Sequence, residues 1–503
     1  MKQAVTSFMI AFTMLFNLLG SSSQVYPPYD RQAARISNTS QSITVPQEIK
    51  NLLGNYSQSL SSKGKTLLEN NPDQIQGLIA ERQSFFQEYW EKGLHSELKS
   101  IDSQFETDTG VSISLTGNTY NLSLFEQVKM YGEPIVKSPD QFPLIQAAKW
   151  AIDNTTDDLA KNYLYQYIEV MSKGVEESAR DGVSIIFVTK HEMKVEKVDQ
   201  KLKITADTFS DKSSDNKNGF DNGSWTSTNS KRIKPNWMDL PDYQIYNMSI
   251  DALGKILLQD FENTTLSIKN TSNLSTNNTT SANTNYVARR DMALWYIQEY
   301  TSNPDYYHWY SCPYGQDDVL RDTSYWNFQY SNVWSYWLCD DCTDYVSQAL
   351  AYAGFPTDDT WNPDPNVLAW IRVYSFVNYF QSNNGIGELF DHMVSLKVGD
   401  LAFIHTTYYA DENLNWQHAV MISGVNPYRY SAHTNDRYNY SLSSDFNRFM
   451  IIKYNQIIFI PLIASNSGNG MNGMIQGSSS MSAYPPPLLP QKSTPVLNPY
   501  PAP

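Results

Sequence analysis

Cysteine is scarce: the 503 residues hold three, Cys312, Cys339 and Cys342. So few exclude a disulfide-dense scaffold, and an odd number leaves one thiol over in an exported chain. The simplest arithmetic pairs Cys312 with Cys339 and leaves Cys342 as a thiol. Positive charge is also scarce, with 37 Lys and Arg against 52 Asp and Glu and a net charge of -15. No basic stripe offers itself to phosphates, which argues against a nucleic-acid partner. Long apolar runs are missing except at residues 4–20, where Thr6, Ser7, Thr13 and Asn17 interrupt a stretch that is short for a membrane span. With Ser21, Ser22 and Ser23 behind it, that stretch reads as a secretory signal over residues 1–23, or else as an N-terminal anchor and the chain's one route to a membrane. Sequons at Asn55, Asn121, Asn154, Asn247, Asn263, Asn270 and Asn439 fit an exported chain. The expected location is secreted or cell surface.

What the chain has in quantity is aromatic residues, 34 Tyr and 12 Trp among them. Rings with a polar edge suit sugar and peptide contacts as well as ordinary cores. The length predicts about two folded domains plus tails. Residues 24–44 are a Ser-, Pro- and Gln-rich leader. Residues 45–260 are expected to form an α+β domain of their own. Apolar residues at three-and-four spacing predict a helical pair over 45–98, joined near Asn71-Pro72. Alternation at 111–115 and 120–124 across Gly117-Asn118 predicts a hairpin. A helix over about 141–173 and strands at 183–188 and 201–206 follow, and His191 reads as an exposed strand residue. The tract from Ser210 to Ser230 reads as a loop, residues 261–285 as an Asn-, Thr- and Ser-rich linker, and residues 464–503 as a Gly-, Ser- and Pro-rich tail.

Chemistry concentrates in residues 286–463. Asp341 is a good N-cap, and Val346, Ala349, Leu350 and Ala353 recur at helical spacing until Gly354 and Pro356 end the run. Cys342 therefore stands at a helix start, where backbone N–H groups and the helix dipole favour the thiolate. Val398-Gly399-Asp400 predicts a turn into an apolar strand. His418 opens another, Trp416 to Gly424, and His433-Thr434-Asn435-Asp436-Arg437 follows the next. Cys, then His, then a polar orienter is the order of a thiol hydrolase. Two other readings of Cys339-x-x-Cys342 are weaker. A zinc site with Cys312 and a His lacks the second half of a zinc motif, and a thioredoxin-like pair lacks its strand-helix-strand setting.

The blocks around Cys342, Val398-Gly399-Asp400-Leu401, Gln417-His418-Ala419-Val420 and His433-Thr434-Asn435-Asp436-Arg437 together resemble the putative amidase domain family, a branch of the NlpC/P60- and CHAP-like, papain-like cysteine hydrolases. The resemblance implies an α+β chain whose C-terminal papain-like domain sets the nucleophile at the head of a helix on an antiparallel sheet. It implies Cys342 as nucleophile and His418 as base. For the third member His433 and Asn435 both fit, and His433 is favoured. Asp344 and Tyr345 stand where the family pattern has Asn and Phe, and Cys339 adds a thiol that could lock Cys342 by oxidation. The implied reaction is amide hydrolysis on a peptide or other amide-bearing envelope substrate, with no metal or organic cofactor. The alternative is a non-catalytic surface or adhesion protein that keeps the fold.

Overall fold

Apolar stripes and turn residues build the first half of the chain much as their spacing dictates. The structure is a computed structural model that describes residues 45–454, apart from 62–72, 109–110, 199, 212–221, 227–228, 234–237, 239, 275–286, 305–307, 312–317, 328–340, 365, 383–385 and 444. The signal, the leader, the Asn71-Pro72 junction, Cys312, Cys339 and the tail lie outside the described residues. Helix α1 (Gln47–Ser61) buries Ile49, Leu52, Leu53, Tyr56 and Leu60, and α2 (Asp73–Glu88) runs on through a π-turn (Tyr89–Gly93) that buries Trp90. Strand β1 (Ser96–Phe105) pairs with β3 (Thr119–Pro134), and β2 (Ser112–Thr116) closes the expected hairpin with Thr116 opposite Thr119. Gly117 takes the positive φ of 63° that this turn requires.

The single helix expected over 141–173 is two. Helix α3 (Pro143–Asp153) stops, and α4 (Asp158–Asp181) starts afresh because the Asp157 carboxylate accepts from the N–H groups of Leu159 and Ala160 at 2.8 and 3.2 Å. Strands β4 (Val183–Val198), β5 (Lys201–Asp211), β6 (Asn222–Thr226) and β7 (Asn229–Ile233) complete an antiparallel sheet in the order β1-β3-β4-β5-β6-β7. Strand β6 lies in the tract read as a loop and β7 begins there, so part of that polar tract builds a sheet edge. Helix α5 (Pro241–Asn247) precedes α6 (Ile250–Leu274), which packs on α3 and carries helix through Leu274, into the stretch read as a linker. That stretch has poor helix formers, but no Gly or Pro lies between Lys255 and Leu274 to break the helix.

The second half adds α7 (Arg290–Glu299), a short pair β8 (Trp309–Ser311) and β9 (Asp318–Leu320), α8 (Cys342–Ala353), α9 (Leu368–Ile371) and α10 (Val373–Ser382). Then come β10 (Gly387–Phe390), β11 (Leu401–His405), α11 (Glu412–Asn415), β12 (Trp416–Gly424), β13 (Arg429–Ala432), β14 (Arg437–Ser441) and β15 (Arg448–Ile452). The sheet runs β10-β15-β11-β12-β13-β14. Side chains alternate across it: Leu401, Phe403, Ala419 and Met421 join the core of α7, α8 and α10, while Ala402, Val420 and Ile422 face the other way.

That other face meets the first half of the chain. Val420, Ile422, Val425, Tyr428 and Tyr430 share one hydrophobic core with Leu164, Met171 and Val175 of α4. Polar groups stitch the same seam: Tyr167 Oη donates to the Val394 carbonyl at 2.8 Å, Asn426 Nδ2 to that of Val136 at 2.8 Å, and Ser178 Oγ to that of Val425 at 2.6 Å. At Gly174 a β-carbon would stand 2.6 Å from Val425, so glycine is needed for the approach. The N-terminal α+β region is thus not the separate domain expected at 45–260. It covers the second face of the other sheet, and the described residues from Val45 onward form one unit. No helix among the described residues is long and apolar enough to cross a membrane.

Candidate active site

Cys342 is the first residue of α8, 2 % exposed, with its Sγ 3.8 Å from Thr343 Oγ1. It stands as a thiol. The helix forms where the apolar spacing predicted and ends at Gly354, whose φ of 106° is the left-handed stop glycine supplies. Asp341 occupies the N-cap position, but its carboxylate does not bond the helix N–H groups. Instead Oδ2 lies 3.0 Å from His433 Nδ1, and Oδ1 accepts the Thr434 N–H at 3.0 Å. The cap read from the sequence is therefore turned outward, toward a motif ninety-odd positions away. The first turn is otherwise lined by buried polar groups, and Asp344 accepts the Trp370 indole N–H at 2.6 Å.

His418 is the third residue of β12, 7 % exposed, opposite Ile404 of β11 and with its ring 6.2 Å from that of Phe446. Strand β13 lies antiparallel to β12 with Met421 opposite Ser431. His433 follows directly on the last residue of β13, Ala432. Asp341 is tied to His433 and Thr434, and α8 packs on both strands, so the start of α8 lies against the end of β13. His418 alternates with Ala419 and, like Ile404 opposite it, lies on the face of Val420 and Phe446.

The block after β13 holds a different set of partners from those its sequence suggested. Both ring nitrogens of His433 are engaged, Nδ1 with Asp341 and Nε2 with the Tyr300 carbonyl at 2.7 Å. Asn435 Oδ1 accepts the Leu320 N–H at 3.0 Å. These contacts of the two candidates for the third position are made with Asp341, Tyr300 and Leu320. Asp436 Oδ2 accepts from Trp326 Nε1 at 3.0 Å, the Asp322 N–H at 3.1 Å and Ser302 Oγ at 3.2 Å. Burial lifts the Asp436 carboxyl to about 6. Burial works against a charge on His433, but the carboxylates of Asp436 and Asp341 and the Tyr300 carbonyl outweigh it and raise the ring above the ordinary imidazole range.

Sequence reasoning missed Asp341, Tyr300, Trp326 and Asp436 as one assembly. Its only local signal was the polar run itself, because every partner but Asp436 comes from more than ninety residues upstream. Tyr345, in the family's Phe position, stacks on His433 and bonds Thr301 Oγ1 through its hydroxyl. Among the described residues, no group of three His, Cys, Asp or Glu side chains is set to hold a metal.

Residues 286–459 match the family model described as a putative amidase domain, which bears out the resemblance read from the four blocks. The match covers the second sheet and α7 to α10 and leaves the first sheet outside it. No curated protein and no solved structure matches the chain.

Proposed function

We propose that the protein is an exported cysteine amidase or peptidase of papain-like architecture that hydrolyses an amide in an envelope peptide or a related substrate. The observation that carries this reading is a buried thiol heading α8, a helix that packs on the strand His418 opens, inside the segment that matches the amidase domain. Cys342 attacks the carbonyl carbon as thiolate, and N–H groups of the first turn of α8 hold the oxyanion that forms. The outward turn of the Asp341 carboxylate favours this, since a capping carboxylate would compete for those donors. His418 takes up the thiol proton and delivers it to the departing amine. Water, deprotonated by His418, then breaks the thioester and restores the thiol.

Iodoacetamide labelling of the full chain across pH, with Cys342→Ala and His418→Ala beside it, tests the pair. The expected result is a Cys342 that labels well below about pH 8, where an ordinary thiol is mostly protonated, and that loses this advantage in His418→Ala. A Cys342 that labels as an ordinary thiol in both proteins rejects the hydrolase and leaves the binding-module reading.

A further inference from the structure

His433 is buried, 4 % exposed, in a setting where a neutral imidazole does not fit. A carbonyl oxygen offers only lone pairs, so the 2.7 Å contact with Tyr300 requires a proton on Nε2. The 3.0 Å contact with Asp341 holds a second proton on the Nδ1 side, and imidazole is the more basic partner. The ring lies between two aromatic faces, Trp326 at 4.4 Å between centroids with planes 8° apart and Tyr345 at 4.1 Å with planes 30° apart. Two π faces attract a cation and do nothing comparable for a neutral ring. The charged and titratable groups around it are Asp341 ahead of α8, Tyr345 on α8, Asp436 after β13, and Arg321, stacked on the far ring at 4.1 Å from Trp326.

We propose that His433 is a positioning residue, an imidazolium brace that ties the Asp341 carboxylate to the Tyr300 carbonyl, rather than the orienting member of a Cys-His triad. This rests on the reading of Cys342 as nucleophile. The brace fixes the residue that enters α8, with Thr434 holding the other side: its N–H donates to Asp341 Oδ1, and its Oγ1 accepts the Asp341 N–H at 3.3 Å. Thr434 does this at a φ of 80°, a left-handed conformation that a β-branched residue adopts at a cost. The brace also decides what the helix start can bind. Asp341 sits in the N-cap position, the place from which a carboxylate normally takes the first-turn N–H groups. Held by His433, it leaves them to an oxyanion. Released, it swings onto the helix and sets a negative charge against the thiolate.

The test uses the full chain and two readouts. The first is the ¹⁵N spectrum of the His433 ring in the unmutated protein, which should show both nitrogens protonated from about pH 5 to pH 8. A single neutral tautomer at pH 7 overturns the brace, and this measurement does not depend on any variant folding. The second is the pH profile of Cys342 labelling in His433→Ala, in Asp341→Ala and in the double variant. Removing His433 should slow labelling at neutral pH about tenfold, the effect of one unit in the thiol pKa, and removing Asp341 as well should restore most of it. A triad orienter predicts the opposite, a loss that Asp341→Ala leaves in place, and that result also overturns the proposal. If Cys342 does not label above an ordinary thiol even in the unmutated protein, the hydrolase reading fails by itself while the ring spectrum still decides the brace.

Discussion

Two buried histidines, His191 in the first sheet and His433 in the second, carry similar local chemistry and point to different ends. His191 is fully buried on β4, with Nδ1 2.9 Å from Asp207 Oδ2 and Nε2 3.1 Å from Glu126 Oε2. Arg82 lies 2.8 Å from the same Glu126 oxygen, Ser103 donates to the other at 2.6 Å, and Arg82 donates to Tyr56 Oη at 3.0 Å. Two cations and two carboxylates thus close on themselves inside a hydrophobic core. His433 is hydrogen-bonded to one carboxylate and one carbonyl and lies between two rings, and its assembly leads into the chain ahead of Cys342. A closed network makes rigidity; an open one transmits position. The expectation of His191 as an exposed strand residue fails because its partners come from the flanking strands β3 and β5.

The largest effect on this comparison comes from parting the two halves. Residues 286–459 expressed alone would present Val420, Ile422, Val425, Tyr428, Tyr430, Phe446 and Phe449 to water, all of them buried in the intact chain. Each buried side chain of this kind is worth about 1.5–3 kcal/mol, which exceeds the whole margin of an ordinary domain when summed. The fragment should therefore show no cooperative unfolding transition and should aggregate. A fragment that melts cooperatively would mean that the amidase segment stands on its own.

Next in size is the closed network. Glu126→Ala leaves Arg82 and His191 facing one another with too little negative charge, and should cost about 3–5 kcal/mol in denaturant unfolding. Cys342 labelling in the folded fraction should not change, because these groups come from the first sheet and the two helices on it. The pH dependence has a definite sign. Burial opposes the charge on His191, but Asp207 and Glu126 raise it from the ordinary 6.5 to about 9. Its stabilisation is thus complete below about pH 6.5 and lost as pH rises through about 9. Burial likewise opposes the Glu126 charge, but Arg82 and His191 hold it at about 2, so its contribution is present above about pH 4.5 and fades as pH falls toward 2. His191→Gln should flatten the alkaline limb and leave the acid limb.

How much of this was legible depended on the reach of each interaction. The hairpin at Gly117-Asn118, the helix from Cys342 to Gly354 and the strand that His418 opens are set by residues a few positions apart, and local spacing identifies them. The break at Asp157 was legible in principle, since an Asp two residues before Leu159 is an N-cap, but the longer apolar period masked it. His191 and Glu126 are 65 positions apart, and Asp341 and His433 are 92. No window on the sequence sees such pairs. The shared core was hidden for a related reason: Val420 and Ile422 read simply as strand residues, and only the fold reveals that α4 covers them.

The smallest effect separates the two networks most finely. Asp436 has the opposite sign from Glu126: burial raises its carboxyl from 3.8 to about 6, against the His433 charge and the Trp326 bond. Its favourable contribution is therefore greatest below about pH 3.8 and lost as pH rises through about 6. Oδ2 takes three donors while Oδ1 is buried without a hydrogen-bond partner among the described residues, so the negative charge is held at a disadvantage. Asp436→Asn keeps an oxygen for the three donors and removes the titration. Relative to the unmutated chain it should be weaker by about 1 kcal/mol near pH 4, and the gap should narrow or reverse by pH 7. Taking the difference between the two proteins cancels Asp242, which burial raises to about 7 and which slopes the same way. If Asp341 and the two rings hold the brace, both nitrogens of His433 stay protonated in Asp436→Asn at neutral pH. Loss of the Nδ1 proton in that variant would assign the brace's charge to Asp436 and make the second network as closed as the first.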